Sequence, residues 1–209
     1  LGAGTASVTA DIADNFDSVF ANDGAIALSL GNVSVVATDI DGDTATGTVN
    51  VEVVDDVPTM TDITGTTTVE EDATVNASGT WDNANAGADE AASTVVEITD
   101  VNGKATHDLG DTIDLTEGTL TVAANGTWTF NPNTGLDQDT PQSVTFSVKV
   151  TDNDGDVASQ DHTIAITDGT GPSIDPSANS ITLTTDEADL ATDATDTLTF
   201  TKGSDALAS

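Results

Sequence analysis

Residues 143–168, SVTFSVKVTDNDGDVASQDHTIAITD, decide the fold. Apolar side chains fall on every second position, first Val144, Phe146, Val148 and Val150, then Ile164 and Ile166. A period of two belongs to a strand, whose successive side chains leave opposite faces. The segment therefore predicts a hairpin with one apolar face, turned at a tip that carries Asp152, Asp154 and Asp156. Residues 32–56, NVSVVATDIDGDTATGTVNVEVVDD, repeat the design. There Val33 and Val35 precede the acidic tip of Asp39, Asp41 and Asp43, and Val49, Val51 and Val53 follow it. In TLTVAANGTWTFNP, Leu120 and Val122 lead to Asn125-Gly126, and Trp128 and Phe130 lead away. Alternation on both sides of Asn-Gly is a strong hairpin signal. The nearest approach to an amphipathic helix, DEAASTVVEI at 89–98, is too short to form one reliably. Short strands with regular turns predict an all-β chain of sandwich type.

Composition narrows the partners. The 209 residues leave room for about two domains. Acids outnumber bases 37 to 3, for a net charge of −34, and 30 of those acids are Asp against 7 Glu. Asp is poor inside helices and strands but good in turns, and it is a hard oxygen ligand. Its excess over Glu points to loops and to metal. Nucleic-acid binding needs basic patches, and Lys104, Lys149 and Lys202 are too scattered to make one. An anionic membrane surface would repel the chain. No run approaches the ~20 apolar residues of a spanning helix, and the first residues lack the basic and apolar regions of a signal peptide. Without cysteine there is no disulfide framework or thiolate chemistry. An acidic, Thr-rich, cysteine-free composition suits a bacterial extracellular protein, and the lack of a targeting signal leads us to expect a segment of something longer.

The chain also repeats itself. Asp39, Asp41 and Asp43 align with Asp152, Asp154 and Asp156 at an offset of 113, which also carries Val51 to Ile164, Val53 to Ile166 and Asp55 to Asp168. Pro58 and Pro172 follow these strands, and each leads into a Thr-rich stretch, TGTTTVEEDATV and SITLTTDEADLA. A period of this size is that of a tandem array of sandwich domains. The boundaries expected are a complete domain at 58–171, the last strands of another at 1–57, and the first strands of a third at 172–209. The two end pieces together would make about one further domain, closed along an array or between neighbouring chains by strand addition. Frayed ends of no significance are the plainer alternative.

GTLTVAANGTWTFNPN, with SVTFSVKVTDNDGDVASQDHTIAITDGTGP after it, resembles the VCBS-type and cadherin-like Ig repeats of giant bacterial adhesins exported by type I secretion, the RTX adhesins. VVATDIDGDTATGTVNVEVVDDVP is similar to another repeat class of the same proteins. The likeness covers the middle of the chain well and both ends in part. The glycine-rich nonapeptides of the RTX secretion end are missing. The resemblance implies tandem Ig-like extender modules of a long cell-surface stalk, with Ca2+ between domains.

The acidic loops support calcium separately. They are not EF-hands, because Gly155 and Gly42 fall at the fourth loop position and Thr163 and Asn50 at the twelfth. In a seven-strand sandwich, the loop between the last two strands lies at the end where the chain comes in. That places Asp152, Asp154 and Asp156 beside Asp55 and Asp56 of the incoming linker. Ca2+ takes six to eight oxygens and suits such a cluster, whereas Mg2+ keeps its waters and fits less well. A second joint is expected from Asp168 and Asp175, together with a loop such as Asp39, Asp41 and Asp43. Glu71 with Asp72, and Glu187 near Asp186, are further candidate ligands. Two readings compete: Asp-Gly tips are good turns whether or not they bind metal, and a halophile's surface is also rich in acids, though more evenly spread.

Other residues read as structural. Trp81 and Trp128 are expected as core anchors rather than sugar platforms. His107 and His162 lie far apart among polar neighbours and make no zinc or catalytic pair. Asn125-Gly126-Thr127 is a turn before it is a glycosylation site. Carboxylates on exposed tips lack the apolar pocket that a glycosidase acid needs, so no enzymatic activity is expected. The chain reads as a structural segment of a bacterial surface adhesin, rigidified by Ca2+ and meeting neighbouring domains or identical chains, with no nucleic acid and no membrane insertion. A self-assembling filament subunit and a Ca2+-dependent glycan- or peptide-binding module are the alternatives.

Overall fold

The structure, a computed structural model, describes residues 4–13, 27–81, 85–100, 103–174, 181–188, 193 and 195–205. Among the described residues every regular element is a strand. In chain order these are β1 (Ala27–Thr38), β2 (Thr44–Val54), β3 (Thr64–Gly65), β4 (Thr68–Glu70), β5 (Ala77–Thr80), β6 (Ala91–Asp100) and β7 (Gly103–Asp108). They continue with β8 (Thr112–Asp114), β9 (Gly118–Val122), β10 (Thr127–Pro132), β11 (Gln142–Asp152), β12 (Val157–Thr167), β13 (Ser173–Ile174) and β14 (Phe200–Thr201). Two five-stranded sheets run β3-β5-β10-β9-β8 and β4-β12-β11-β6-β7, and β1-β2 and β13-β14 are separate pairs. The segment DEAASTVVEI supplies most of β6. Its β-branched Thr94, Val95 and Val96 favour a strand and end any case for a helix there.

By its internal contacts the chain divides into two compact units, one of Leu1–Asp62, Trp81–Asp108 and Ser147–Asp161, the other of Ile63–Thr80, Leu109–Phe146 and His162–Ser209. In the second unit two sheets pack face to face, the arrangement of a β-sandwich. Trp128 of β10 meets the edge of Phe146 of β11 with ring centroids 5.5 Å apart, and His162 of β12 at 4.8 Å. Trp128 Nε1 donates to the Thr64 carbonyl (3.0 Å), which satisfies the one polar atom of the ring. His162 is buried in this cluster, with Nε2 donating to the Thr66 carbonyl at 3.0 Å. That corrects its expected polar setting: His162 lies on the inward face between Trp128 and Phe146. Leu120, Val122 and Phe130 are fully buried in the same unit. Gly79 makes room for the indole, since a Cβ there would overlap the Thr64 carbonyl oxygen and stand 2.6 Å from Trp128 Nε1.

In the first unit β6 and β7 pair antiparallel, and Val96, Ile98, Val148, Val150 and Trp81 are buried. Thr59 and Asn85 exchange two backbone hydrogen bonds of 2.7 and 2.8 Å, which fixes the linker after Asp55 and Asp56. The hairpin β1–β2 pairs Val33 with Val49 and Val35 with Gly47, with an irregularity between Ser29 and Gly31.

Candidate metal centre

The centre is built on the tip joining β11 to β12. Asp152 N donates to the Asp156 carbonyl at 3.1 Å, closing the loop. Asp152 Oδ1 accepts from the amides of Gly155 (2.9 Å) and Asp156 (2.7 Å). Gly155 has φ 107, in the left-handed region where a side chain would be strained. One oxygen of Asp152 therefore shapes the loop and the other is left over. Asp152 is 1% exposed and Asp154 8%. Among the described residues, no hydrogen-bond partner reaches the buried Oδ2 of either.

The linker after β2 supplies the facing wall. Carboxylate oxygens of Asp55, Asp154 and Asp156 lie within 4.8 Å of one another, and all three residues are buried. Asp55 also belongs to a second such group with Asp56 and Asp89. The Ala88 amide donates to Asp56 Oδ2 (2.7 Å), and Asn153 Nδ2 donates to the Asp89 carbonyl (2.6 Å), which ties tip, linker and the 85–90 loop together. Gly87, at φ 76, lets the chain pass Asp56, whose carboxylate a Cβ would strike.

Several buried carboxylates in contact are costly unless a proton or a cation offsets them. Burial, and then Asp154 beside it, pushes the Asp152 carboxyl up to about 6, although the Gly155 and Asp156 amides oppose the rise. Asp154 moves the other way, lowered first by the side chain of Asp152 and helped by the Asp156 amide and Asp55. The pair thus retains a proton more readily than two isolated aspartates. A Ca2+ ion binds oxygens at 2.3–2.6 Å, so ligands around one ion lie up to about 5 Å apart. Oxygens that all lie within 4.8 Å of one another, in an all-oxygen donor set, fit that requirement.

The remaining candidates fall into weaker arrangements. Glu71, Asp168 and Asp205 form a group in the second unit, with Glu71 buried and the other two exposed. Both Glu71 oxygens already accept amides, Oε2 from Leu136 at 2.6 Å and Oε1 from Gly169 at 3.3 Å. Asp205 is raised by burial and by Glu71 and Asp168. Asp39, Asp41 and Asp43 lie together but exposed. Asp39 is lowered, chiefly by its contact with Asp41. Asp72 is exposed at φ 58 and joins no group among the described residues. Asp186 accepts the Ala188 amide (2.8 Å) in a local turn, Glu187 likewise joins no group there, and Asp175 lies outside the described residues.

Asp89 and Asp205 were not among the residues singled out from sequence. A signal existed: Gly87-Ala88-Asp89 and Gly203-Ser204-Asp205 share a Gly-x-Asp pattern 116 residues apart, close to the repeat already found. No described helix is long and apolar enough to cross a membrane. Compared with known proteins, the chain matches no family model and no curated protein.

Proposed function

We propose that this chain is a calcium-binding structural segment of a bacterial surface adhesin or extracellular filament, composed of tandem Ig-like, cadherin-like modules. The observation that carries the reading is the meeting of Asp55 from the linker with Asp154 and Asp156 from the hairpin tip, all buried and with ligand oxygens within 4.8 Å. Asp56 and Asp89 extend the donor set, and Asp152 holds the tip in shape. Bound Ca2+ would supply the positive charge these carboxylates need. The linker would then be fastened to the module it leads into, and flexing at that joint would be restrained. Extracellular modules of this kind bind at about 10⁻⁴ to 10⁻³ M, matched to an extracellular supply. Order then passes between neighbours along an array. The partners are adjoining modules or identical chains, the setting is outside the cell, and no catalysis is assigned.

Titration calorimetry tests the site, and small-angle scattering tests the stiffening. Saturable Ca2+ binding that is lost in Asp154→Asn, with a longer maximum dimension in calcium than in chelator, is expected. No heat and no change in dimension overturn the proposal.

A further inference from the structure

The β1–β2 hairpin aligns with β11–β12 without a gap, 113 positions earlier. Val33 and Val49, a cross-strand pair, stand where Phe146 and His162 stand. The later pair is 0% and 7% exposed, the earlier pair 42% and 41%. Leu30, Val36 and Val54 are exposed on the same hairpin. An apolar two-stranded ribbon of this kind is marginal alone in water and presents pairing edges.

The chain itself indicates what belongs there. Beside β12 lies β4, in parallel, with Val69 opposite Ile166. The counterpart of Ile166 is Val53. The counterpart of Val69 is Leu183, since Pro58, Val69 and Asp72 recur as Pro172, Leu183 and Asp186 at an offset of 114. The geometry recurs with the sequence. The Thr59–Asn85 bridge reappears as β13–β14, where Ser173 pairs with Thr201. Ile181, Leu183, Leu198 and Phe200 of this segment are exposed. The chain thus carries an apolar hairpin that is exposed at Val33 and Val49 and buried at Val53 and, separately, an exposed segment that repeats the strand paired with the other hairpin.

We propose that two copies of this chain join through these surfaces. Residues 182–184 of one copy add as a parallel strand along Glu52–Val54 of the next, with Leu183 opposite Val53. The chain entering that strand at Ile181 then runs toward Val49, as the chain entering β4 passes His162 at Thr66. Donor and acceptor are different surfaces, so the contact is heterologous and grows end to end rather than closing as a symmetric dimer. The charge of −34 opposes it, so salt strengthens the association. The contact itself needs no cation and stands or falls apart from the calcium site.

Sedimentation of the whole chain across a concentration series tests this, at about 1 M salt where screening acts within about 3 Å, with calcium and with chelator. The mass is expected to rise from the 21.0 kDa monomer through dimer to longer species in both solutions. Leu183→Asp and Val49→Asp each hold the chain at 21.0 kDa, and both positions are exposed, so circular dichroism stays unchanged. An equal mixture of the two variants restores a dimer that does not grow, because one chain keeps an intact hairpin and the other an intact strand. A monomer at every concentration, a closed symmetric dimer, or association that survives either substitution overturns the proposal.

Discussion

The two acidic hairpins share a tip sequence, yet one is a core element and the other is largely exposed. β11–β12 buries Phe146, Val148, His162 and Ile164, and Trp128 lies against the first and third. β1–β2 offers smaller Val33, Val35, Val49 and Val51 on the matching face, and Val33 and Val49 are open to water. The tips differ in the same way. Asp154 and Asp156 are buried against Asp55, whereas Asp39, Asp41 and Asp43 are exposed with only one another in their group. The same local sequence therefore yields a buried carboxylate cluster only where a second segment meets it.

The largest effect that separates the hairpins comes from the cover. Trp128→Ala should destabilise the chain by about 3–5 kcal/mol in urea unfolding, because Phe146 and His162 lose their neighbour. Val33→Ala on the bare hairpin should stay within about 0.5 kcal/mol. Equal costs would mean that the hairpins are equally covered. Calcium comes next. At a hundredfold excess over its Kd it should stabilise the wild type by about 2.7 kcal/mol, a rise in Tm of several degrees. Asp154→Asn should abolish that rise. Asp41→Asn should leave the rise intact, and loss of the rise in Asp41→Asn would show that the exposed tip binds first.

The pH dependence is smaller and has a definite sign. Asp152 has a folded pKa of about 6, above its ordinary value of 3.8. Its contribution to stability without calcium is fully present below about pH 4 and is lost as the pH rises through 6. Asp154, lowered, contributes in the opposite sense at more acid pH, so the window between the two values belongs to Asp152. Thermal melts in chelator should show stability falling from pH 4 to 7, and Asp152→Asn should flatten the slope. Calcium binding should tighten over the same interval as the proton leaves. Glu71→Gln should cost about 1 kcal/mol in urea unfolding, through one lost amide bond to Leu136 or Gly169.

The sequence showed the hairpins because period-two alternation in a half-buried strand is imposed by geometry, and Val144 to Val150 and Leu120 to Phe130 obey it. The meeting of Asp55 with the distant tip was legible for a topological reason: the loop between the last strands of a sandwich returns to where the chain comes in. Asp89 was harder to see because its loop has no period and its place depends on a backbone bridge between Thr59 and Asn85. His162 was misread because a polar side chain on an inward face shows its partner only in three dimensions. Glu71 was picked out for its charge, and what the sequence could not convey is that two amides already occupy its oxygens.

In both hairpins the first aspartate of the tip accepts the amide four residues on, Asp43 to Asp39 at 2.8 Å and Asp156 to Asp152 at 2.7 Å. One of these tips is exposed and the other buried, so the conformation belongs to the loop's own five residues and owes nothing to surroundings. Such a tip is a mould cast in advance: a cation bound there would find part of its seat already formed, with less ordering entropy to weaken the grip.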